Sequence, residues 1–312
     1  MSPASPKVAA ARISVLTATA LASMKLVAGL LTGSLAVITS AVDSLLDILM
    51  SGVNFMAIRH AEQPPDDCHP YGHGKFETLA TVFQALVISA SGLWICIEAL
   101  QRLQSGRSVE KPLGGIAVLL VSLAASFLLT RYLRRVAKAT DSSALQADAL
   151  HFAMDVYTNL ALLLGLLILF WFDLPWLDPV MSLLVAVYIV KEAVQLLRYG
   201  LRDVLDERLP DSVRAEIERL IAAHRSELFN YHNLRTRRAG SQKLIDFHLT
   251  VCKHLSVEEA HRITDHLETR IAEQVIGADV TIHVEPCQLP DCPGRAECPA
   301  LKVRPQEKTT GS

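Results

Sequence analysis

The chain has 312 residues, 51% of them hydrophobic and 20% charged, with a formal net charge of −2 and a mean hydropathy of +0.30. This is too apolar for an ordinary soluble protein, and the charge gives no sign of a nucleic-acid partner. The apolar residues fall in long runs up to about Leu201, whereas the sequence from Asp203 onward is charged and ordinary, so a membrane domain over 1–202 precedes a cytoplasmic domain over 203–288 and a Cys- and Pro-containing tail over 289–312.

Stretches of roughly 20 apolar residues, enough for a hydrocarbon core of about 30 Å, define six candidate spans. They run approximately over Ile13–Leu31, Leu35–Ala57, Leu79–Leu100, Leu113–Tyr132, Ala144–Phe172 and Trp176–Leu197. Lys25 interrupts the first, and acids interrupt the second and fifth; such residues face a protein interior rather than lipid. Spans one and two are joined by Thr32-Gly33-Ser34, and five and six by Asp173-Leu174-Pro175, both of which read as tight helical hairpins. The N-terminus lacks a signal-peptide pattern, so the first run stays as a span.

Basic residues near the span ends set the topology. With a cytoplasmic N-terminus, the inside segments hold Lys7, Arg12, Arg59, Lys75, Arg131, Arg134, Arg135, Lys138, Arg198 and Arg202, and the outside loops only Arg102, Arg107 and Lys111. The expectation is a multi-pass protein of the inner (plasma) membrane with both termini cytoplasmic.

Beyond about Pro210 the pattern changes to short alternating elements. Asp211 is positioned to cap a helix with Val213, Ile217, Leu220 and Ile221 on its apolar side. Strands follow near Leu234–Arg238 and Leu244–Val251, separated by Ala239-Gly240-Ser241. Ser256 opens a capping box with Glu259 on a helix running towards Val275, and a last strand covers Val280–Val284. The fold class is a membrane α-helical bundle of six transmembrane helices with a C-terminal α+β domain (αββαβ, metallochaperone-like).

Ionisable residues inside membrane spans mark ion pathways. Asp43-x-x-x-Asp47 lies in the second span and Asp148-x-x-His151-x-x-x-Asp155 in the fifth. Residues four apart project about 40° from each other on a helix, so Asp43 with Asp47, and His151 with Asp155, each occupy one face. Two facing pairs make a four-ligand site. Asp148 is either a fifth ligand or, nearer the cytoplasmic end of its span, a capping or supporting residue. Asn54 and Asn159 read as ties between helices. The loop after span two adds Asp66, His69 and His73, an imidazole and carboxylate set suited to borderline cations such as zinc; its bland alternative is a solvated polar loop.

These motifs resemble the cation diffusion facilitator family of divalent metal transporters, closest to its bacterial ferrous-iron and zinc efflux branch. The likeness rests on Asp-x-x-x-Asp in the second span, His-Pro-Tyr-Gly-His-Gly-Lys in the following loop, and Ala-Asp-Ala-Leu-His-x-x-x-Asp in the fifth span, and it extends from about Ala11 to Pro286. It implies a proton-coupled efflux transporter, with no cofactor, whose substrate and regulator is a divalent metal. Asp43, Asp47, His151 and Asp155 would be the transport site, and Asp66, His69 and His73 the loop site. His232, His248, His261, His283 and Glu285 would hold metal in the cytoplasmic domain, where relatives commonly carry Asp in place of Glu285. A homodimer joined through those domains is also implied. His232 and His248 have an alternative as surface residues, and His224, His254 and His266 read as exposed.

Three carboxylates and an imidazole crowded in a low-dielectric interior hold protons when empty, and a divalent cation displaces them. If such a site opens alternately to either side, inward proton flow drives metal outward. One imidazole and three carboxylates suit Zn(II) and accept Fe(II), Cd(II) or Co(II), while Mg(II) and Ca(II) want more oxygens. By the resemblance, all-carboxylate sites favour Mn(II) and a second His favours zinc, and this set lies between.

Cys287, Cys292 and Cys298 crowd the Pro-rich tail. In a reducing cytoplasm they are thiols competent for soft metals, and three thiolates with His283 or Glu285 would complete one zinc site. Cys68 is a weaker ligand candidate, and Cys96 belongs to packing. Two rival classes remain: a membrane metalloenzyme of the histidine-box type, for which the single His69-x-x-x-His73 is too few boxes, and a membrane-anchored metal sensor, which would not need acids in two spans.

Overall fold

A computed structural model describes residues 5–32, 35–105, 116–172, 176–224 and 230–289. Six long helices come first: α1 (Pro6–Thr32), α2 (Leu35–Ala61), α3 (Lys75–Ser105), α4 (Ile116–Thr140), α5 (Ser143–Phe172) and α6 (Leu177–Val204). Then follow α7 (Asp211–Ala223), β1 (Asn230–Ala239), β2 (Gln242–Val251), α8 (Val257–Gln274) and β3 (Ala278–Pro286). The chain divides into two compact units, 1–204 and 205–312. The two hairpin turns, at Gly33-Ser34 and Asp173-Leu174-Pro175, lie outside the described residues, as do Cys292 and Cys298.

Among the described residues, Pro6–Leu31, Ser40–Ala61, Lys75–Gln104 and Pro179–Val204 are each long and apolar enough to cross a membrane. Their outward side chains are large and apolar, including Leu16, Leu46, Leu49, Leu86, Trp94 and Leu184, whereas the interior mixes large apolar side chains with many alanines. Ala10, Ala11 and Ala18 of α1 meet Ile58, Leu129, Leu133, Ala144, Leu145 and Phe152 in one cluster; Ala85 and Ile88 of α3 meet Ala147, Ile189 and Ala193 in another. Small residues let helix backbones approach, which is how apolar helices associate when lipid is as apolar as they are. Gly92 and Gly200 carry this furthest: an added Cβ would come within 2.6 Å of Val190 Cγ2 and 2.7 Å of Val82 Cγ2, both across the α3–α6 contact.

Polar ties fix the same bundle. Thr78 Oγ1 donates to Asp203 Oδ2 at 2.6 Å, joining α3 to α6, and Thr81 Oγ1 donates to Ser143 Oγ at 2.8 Å, joining α3 to α5. Lys7 at the start of α1 is ion-paired with Glu62 at the end of α2 and lies 3.6 Å from the buried Glu77 of α3.

The second unit is a three-stranded sheet in the order β1-β2-β3. β1 and β2 form an antiparallel hairpin, and β2 returns to β3 in parallel through α8, as a parallel pair requires a crossover. Helices α7 and α8 cover one face, burying Ile217, Leu220, Ile221, Leu267 and Ile271 against Ile245, Phe247, Leu249 and Val251. Ser256 Oγ accepts from Glu259 N at 3.2 Å while Glu259 Oε2 accepts from Ser256 N at 2.9 Å, a complete capping box. The cap expected from Asp211 is absent: Pro210 is the N-cap and makes no side-chain bond, and Asp211 is the first helical residue. There its carboxylate still suits the positive end of the helix.

Candidate metal centre

Asp47 on α2 and His151 on α5 meet directly, Oδ1 to Nε2 at 3.0 Å. His151 is 6% exposed. A cavity of about 480 Å³ is lined by these two together with Asp43, Asp155, Lys25, Ser44, Glu98 and Asn159. The helical spacing of four accounts for the arrangement, because Asp43 and Asp47 share one side of α2 while His151 and Asp155 share one side of α5. Lys25 enters from α1, its ammonium donating to Ser44 Oγ at 2.8 Å. A cation lining the same cavity as Asp43, Asp47 and Asp155 offsets part of their charge. Asn159, read from the sequence as a tie between helices, lines the cavity. Asn54 is such a tie, donating to the Ala144 carbonyl at 3.2 Å.

Asp148 lies one helical turn before His151 but is not among the cavity-lining residues. It is fully buried, and its Oδ1 accepts from Ser51 Oγ at 3.3 Å, which in turn is 3.1 Å from Ser14 Oγ. This carboxylate therefore links α5 to α2 and, through the serine pair, to α1. Of the two sequence alternatives, the geometry fits a supporting residue.

In the loop before α3, Asp66, His69 and His73 present ligand atoms that all lie within 4.8 Å of one another. Asp66 Oδ2 stands 3.2 Å from His73 Nε2 and Oδ1 stands 3.4 Å from His69 Nδ1. The loop builds this from its own backbone: Asp66 Oδ1 accepts from the N–H of His69 at 2.6 Å and of Cys68 at 3.0 Å. The His69 amide is the leading reason that the Asp66 carboxyl is held below the usual carboxylate range. His73 is buried, His69 and Cys68 are exposed, and the His60 ring packs edge-on against His73 at 4.8 Å between centroids, a support that the sequence did not signal.

A third cluster lies on the face of the sheet away from its helices. His232, His248 and Glu285 also bring ligand atoms within 4.8 Å of each other. His248 Nδ1 is 2.7 Å from Glu285 Oε1, His232 Nε2 is 3.4 Å from Oε2, and His283 Nε2 is 3.9 Å from Oε1. Register explains the meeting, since His248 pairs with His232 on one side and with His283 on the other. Between His232 and Arg235 the pairing slips, with Asn233 at φ 57°, a left-handed conformation that Asn tolerates better than most residues. Asn233 Nδ2 thereby reaches His248 Nε2 at 3.2 Å; with the amide donating there, His248 carries its proton on Nδ1 and gives it to Glu285. His261, exposed on α8, is not part of this three-residue cluster.

Residues 11–205 match the cation efflux transmembrane domain family, and residues 209–287 match the cation efflux protein cytoplasmic domain family. A cation-efflux pump FieF of Serratia proteamaculans (strain 568) is 37% identical over 278 residues, covering 88% of this chain and 92% of its own. A cation-efflux pump FieF of Shewanella oneidensis is 37% identical over 280 residues, covering 90% and 94%. The solved metal-bound C-terminal domain of the CzcD transporter from Thermotoga maritima is 28% identical over 25% of this chain and 95% of its own, at a TM-score of 0.22. With both family matches together running nearly end to end, the chain belongs to the cation efflux family, the cation diffusion facilitators, and is a membrane transporter rather than an enzyme.

Proposed function

We propose that this transporter expels a divalent transition metal, Zn(II), Fe(II), Cd(II) or a similar ion, in exchange for protons, through Asp43, Asp47, His151 and Asp155. The observation that carries the reading is the Asp47–His151 contact at 3.0 Å inside a cavity that Asp43 and Asp155 also line. An imidazole and a carboxylate from different helices share a hydrogen bond there, which a metal would replace by taking the lone pairs of both. Proton and metal thus compete for the same atoms. If the cavity opens alternately to each side, metal leaves outward as protons enter, with no covalent step.

Asp66, His69 and His73 form a second metal site outside the spans, and His232, His248 and Glu285 a third in the cytoplasmic unit, with His283 adjacent. The third is regulatory: metal there draws the cytoplasmic units of a homodimer together. Lys7, Arg12, Arg198 and Arg202 are consistent with both ends of the membrane domain facing the cytoplasm. Metal uptake into proteoliposomes tests the assignment. Asp47→Ala should abolish it while the protein still inserts and dimerises; wild-type rates at saturating metal would remove the site from the mechanism.

A further inference from the structure

The cavity at Asp47 and His151 is lined along α3 by Val87, Ser91, Ile95, Glu98 and Arg102. Spacings of three and four keep these on one side of the helix, and at 1.5 Å per residue they extend over about 22 Å. Leu86, Leu93, Ile97 and Leu100 occupy another side and turn outward. A carboxylate and a guanidinium in an apolar span face protein or a water-filled cavity rather than lipid, and these two line the cavity.

The lining has a direction. On α2 it runs from Met50 back to Ser40, and on α5 from His151 on to Asn159. Thr78 is tied to Asp203, Thr81 to Ser143, and Lys7 to Glu62 and Glu77, which places the start of α3, the start of α5, the end of α2 and the end of α6 at one end of the bundle. From that end the chain passes into the second unit at Leu205. On all three helices the lining leads away from it. With the Thr81–Ser143 contact as a common level, Glu98 is 17 residues along α3 and Asp155 only 12 along α5, so Glu98 lies about 7.5 Å further towards the far mouth. Asp43 is one turn beyond Asp47, which meets His151, and is therefore level with Asp155. Glu98 is the acid nearest the far mouth. Its carboxylate is held there by Arg102, whose Nη2 donates to Glu98 Oε1 from one turn further on.

We propose that Glu98 receives the metal as it leaves the cavity and that Arg102 is the built-in competitor that reclaims the carboxylate. The pair is neutral when closed, so the far mouth holds a divalent cation weakly and does not recapture it. Either charge alone would act on the ion with its own sign. This assignment rests on the reading of the cavity as the transport site and adds its exit.

The test uses the full-length protein in proteoliposomes, oriented with the cytoplasmic unit outside so that the lumen faces the Glu98 mouth. Zn(II) trapped in the lumen inhibits Zn(II) uptake by rebinding from that side, and its half-inhibitory concentration reads the affinity of the mouth. One unit charge about 10 Å from a divalent ion in water changes its binding roughly fourfold before salt screening. Arg102→Gln, which leaves Glu98 unpaired, should lower the half-inhibitory concentration by about that factor, and Glu98→Gln, which leaves Arg102 unpaired, should raise it. Arg102→Lys and the double Glu98→Gln, Arg102→Gln variant should resemble wild type, and the KM for external Zn(II) should not move. The shifts should vanish at about 1 M salt, where charges are screened within ~3 Å. Shifts in the same direction in the two single variants, no shift in either, or equal shifts in the external KM overturn the proposal. If a single variant fails to fold, Arg102→Glu and Glu98→Lys carry the same opposite signs. Uptake that survives Asp47→Ala would instead remove the transport-site reading itself, whereas uptake lost in Asp47→Ala with same-direction shifts at the mouth would remove the exit alone.

Discussion

Asp148 and His151 are a single helical turn apart on α5, yet one is locked into a buried hydrogen-bond chain with Ser51 and Ser14 while the other meets Asp47 directly at the cavity wall. Their substitutions should therefore separate. Asp155→Ala, which removes a proposed ligand, should lower apparent metal affinity by at least the 10–100-fold, roughly, that loss of a supporting residue costs a metal site. Asp148→Ala should instead destabilise the protein by about 1–3 kcal/mol, the cost of leaving buried hydrogen-bonding groups unsatisfied, with transport by the folded fraction largely kept. Thermal melting in detergent and metal-uptake titrations on the two variants check the split.

Lys25 gives a prediction of opposite sign. Two unit charges about 4 Å apart at an effective dielectric near 20 interact by ~4 kcal/mol, so even a more distant ammonium lining the cavity weakens binding of a divalent cation. Lys25→Met should tighten metal binding by roughly tenfold, equivalent to about 1.4 kcal/mol, and slow turnover because release becomes harder. Isothermal titration with Zn(II) and initial rates in proteoliposomes would show it; weaker binding in Lys25→Met would assign Lys25 a structural role through Ser44.

The loop site predicts a local, pH-dependent order. Because the folded Asp66 carboxyl is held below its ordinary range by the His69 amide, its contribution to loop stability is present above the ordinary range and is lost as pH falls through the lowered folded value. Hydrogen exchange at the Cys68 and His69 amides should accelerate on that acidification. Asp66→Ala should bring the same acceleration already at neutral pH.

How much of this could be read in the sequence depended on the range of the contacts involved. Helical spacing is local, so Asp43 with Asp47, and His151 with Asp155, could be placed on shared faces before any packing was known. The partners of Asp148 could not, since Ser14 and Ser51 lie on two other helices and only the bundle brings them together. The same holds for the burial of Cys287: its N–H reaches the Val251 carbonyl because β3 lies parallel to β2, a register set through the intervening α8. Asn233 has no local signature either, because the slip after His232 belongs to the pairing and not to the dipeptide. Asp211 failed as a cap through a local competitor, as Pro210 took the N-cap position.

Glu285 serves the cytoplasmic cluster with both of its carboxylate oxygens. One carboxylate oxygen meets His248 and the other faces His232. Glu285→Gln keeps the length and removes the charge, so zinc affinity of the cytoplasmic site should fall by about 10–100-fold, with the intramembrane cavity unaffected. Competition titrations with a zinc chelator on the full-length protein, in an Asp47→Ala, Asp66→Ala background that disables the transport and loop sites, measure this.

The exchange of metal for protons is tested most directly by recording metal-driven proton movement in proteoliposomes with a trapped pH indicator. Adding Zn(II), Fe(II), Mn(II), Cd(II) or Co(II) in turn to one side of the wild-type protein should move protons opposite to the metal for every ion that is transported, and Asp47→Ala should show neither flux. Metal transport by the wild-type protein with no accompanying proton movement would contradict the account.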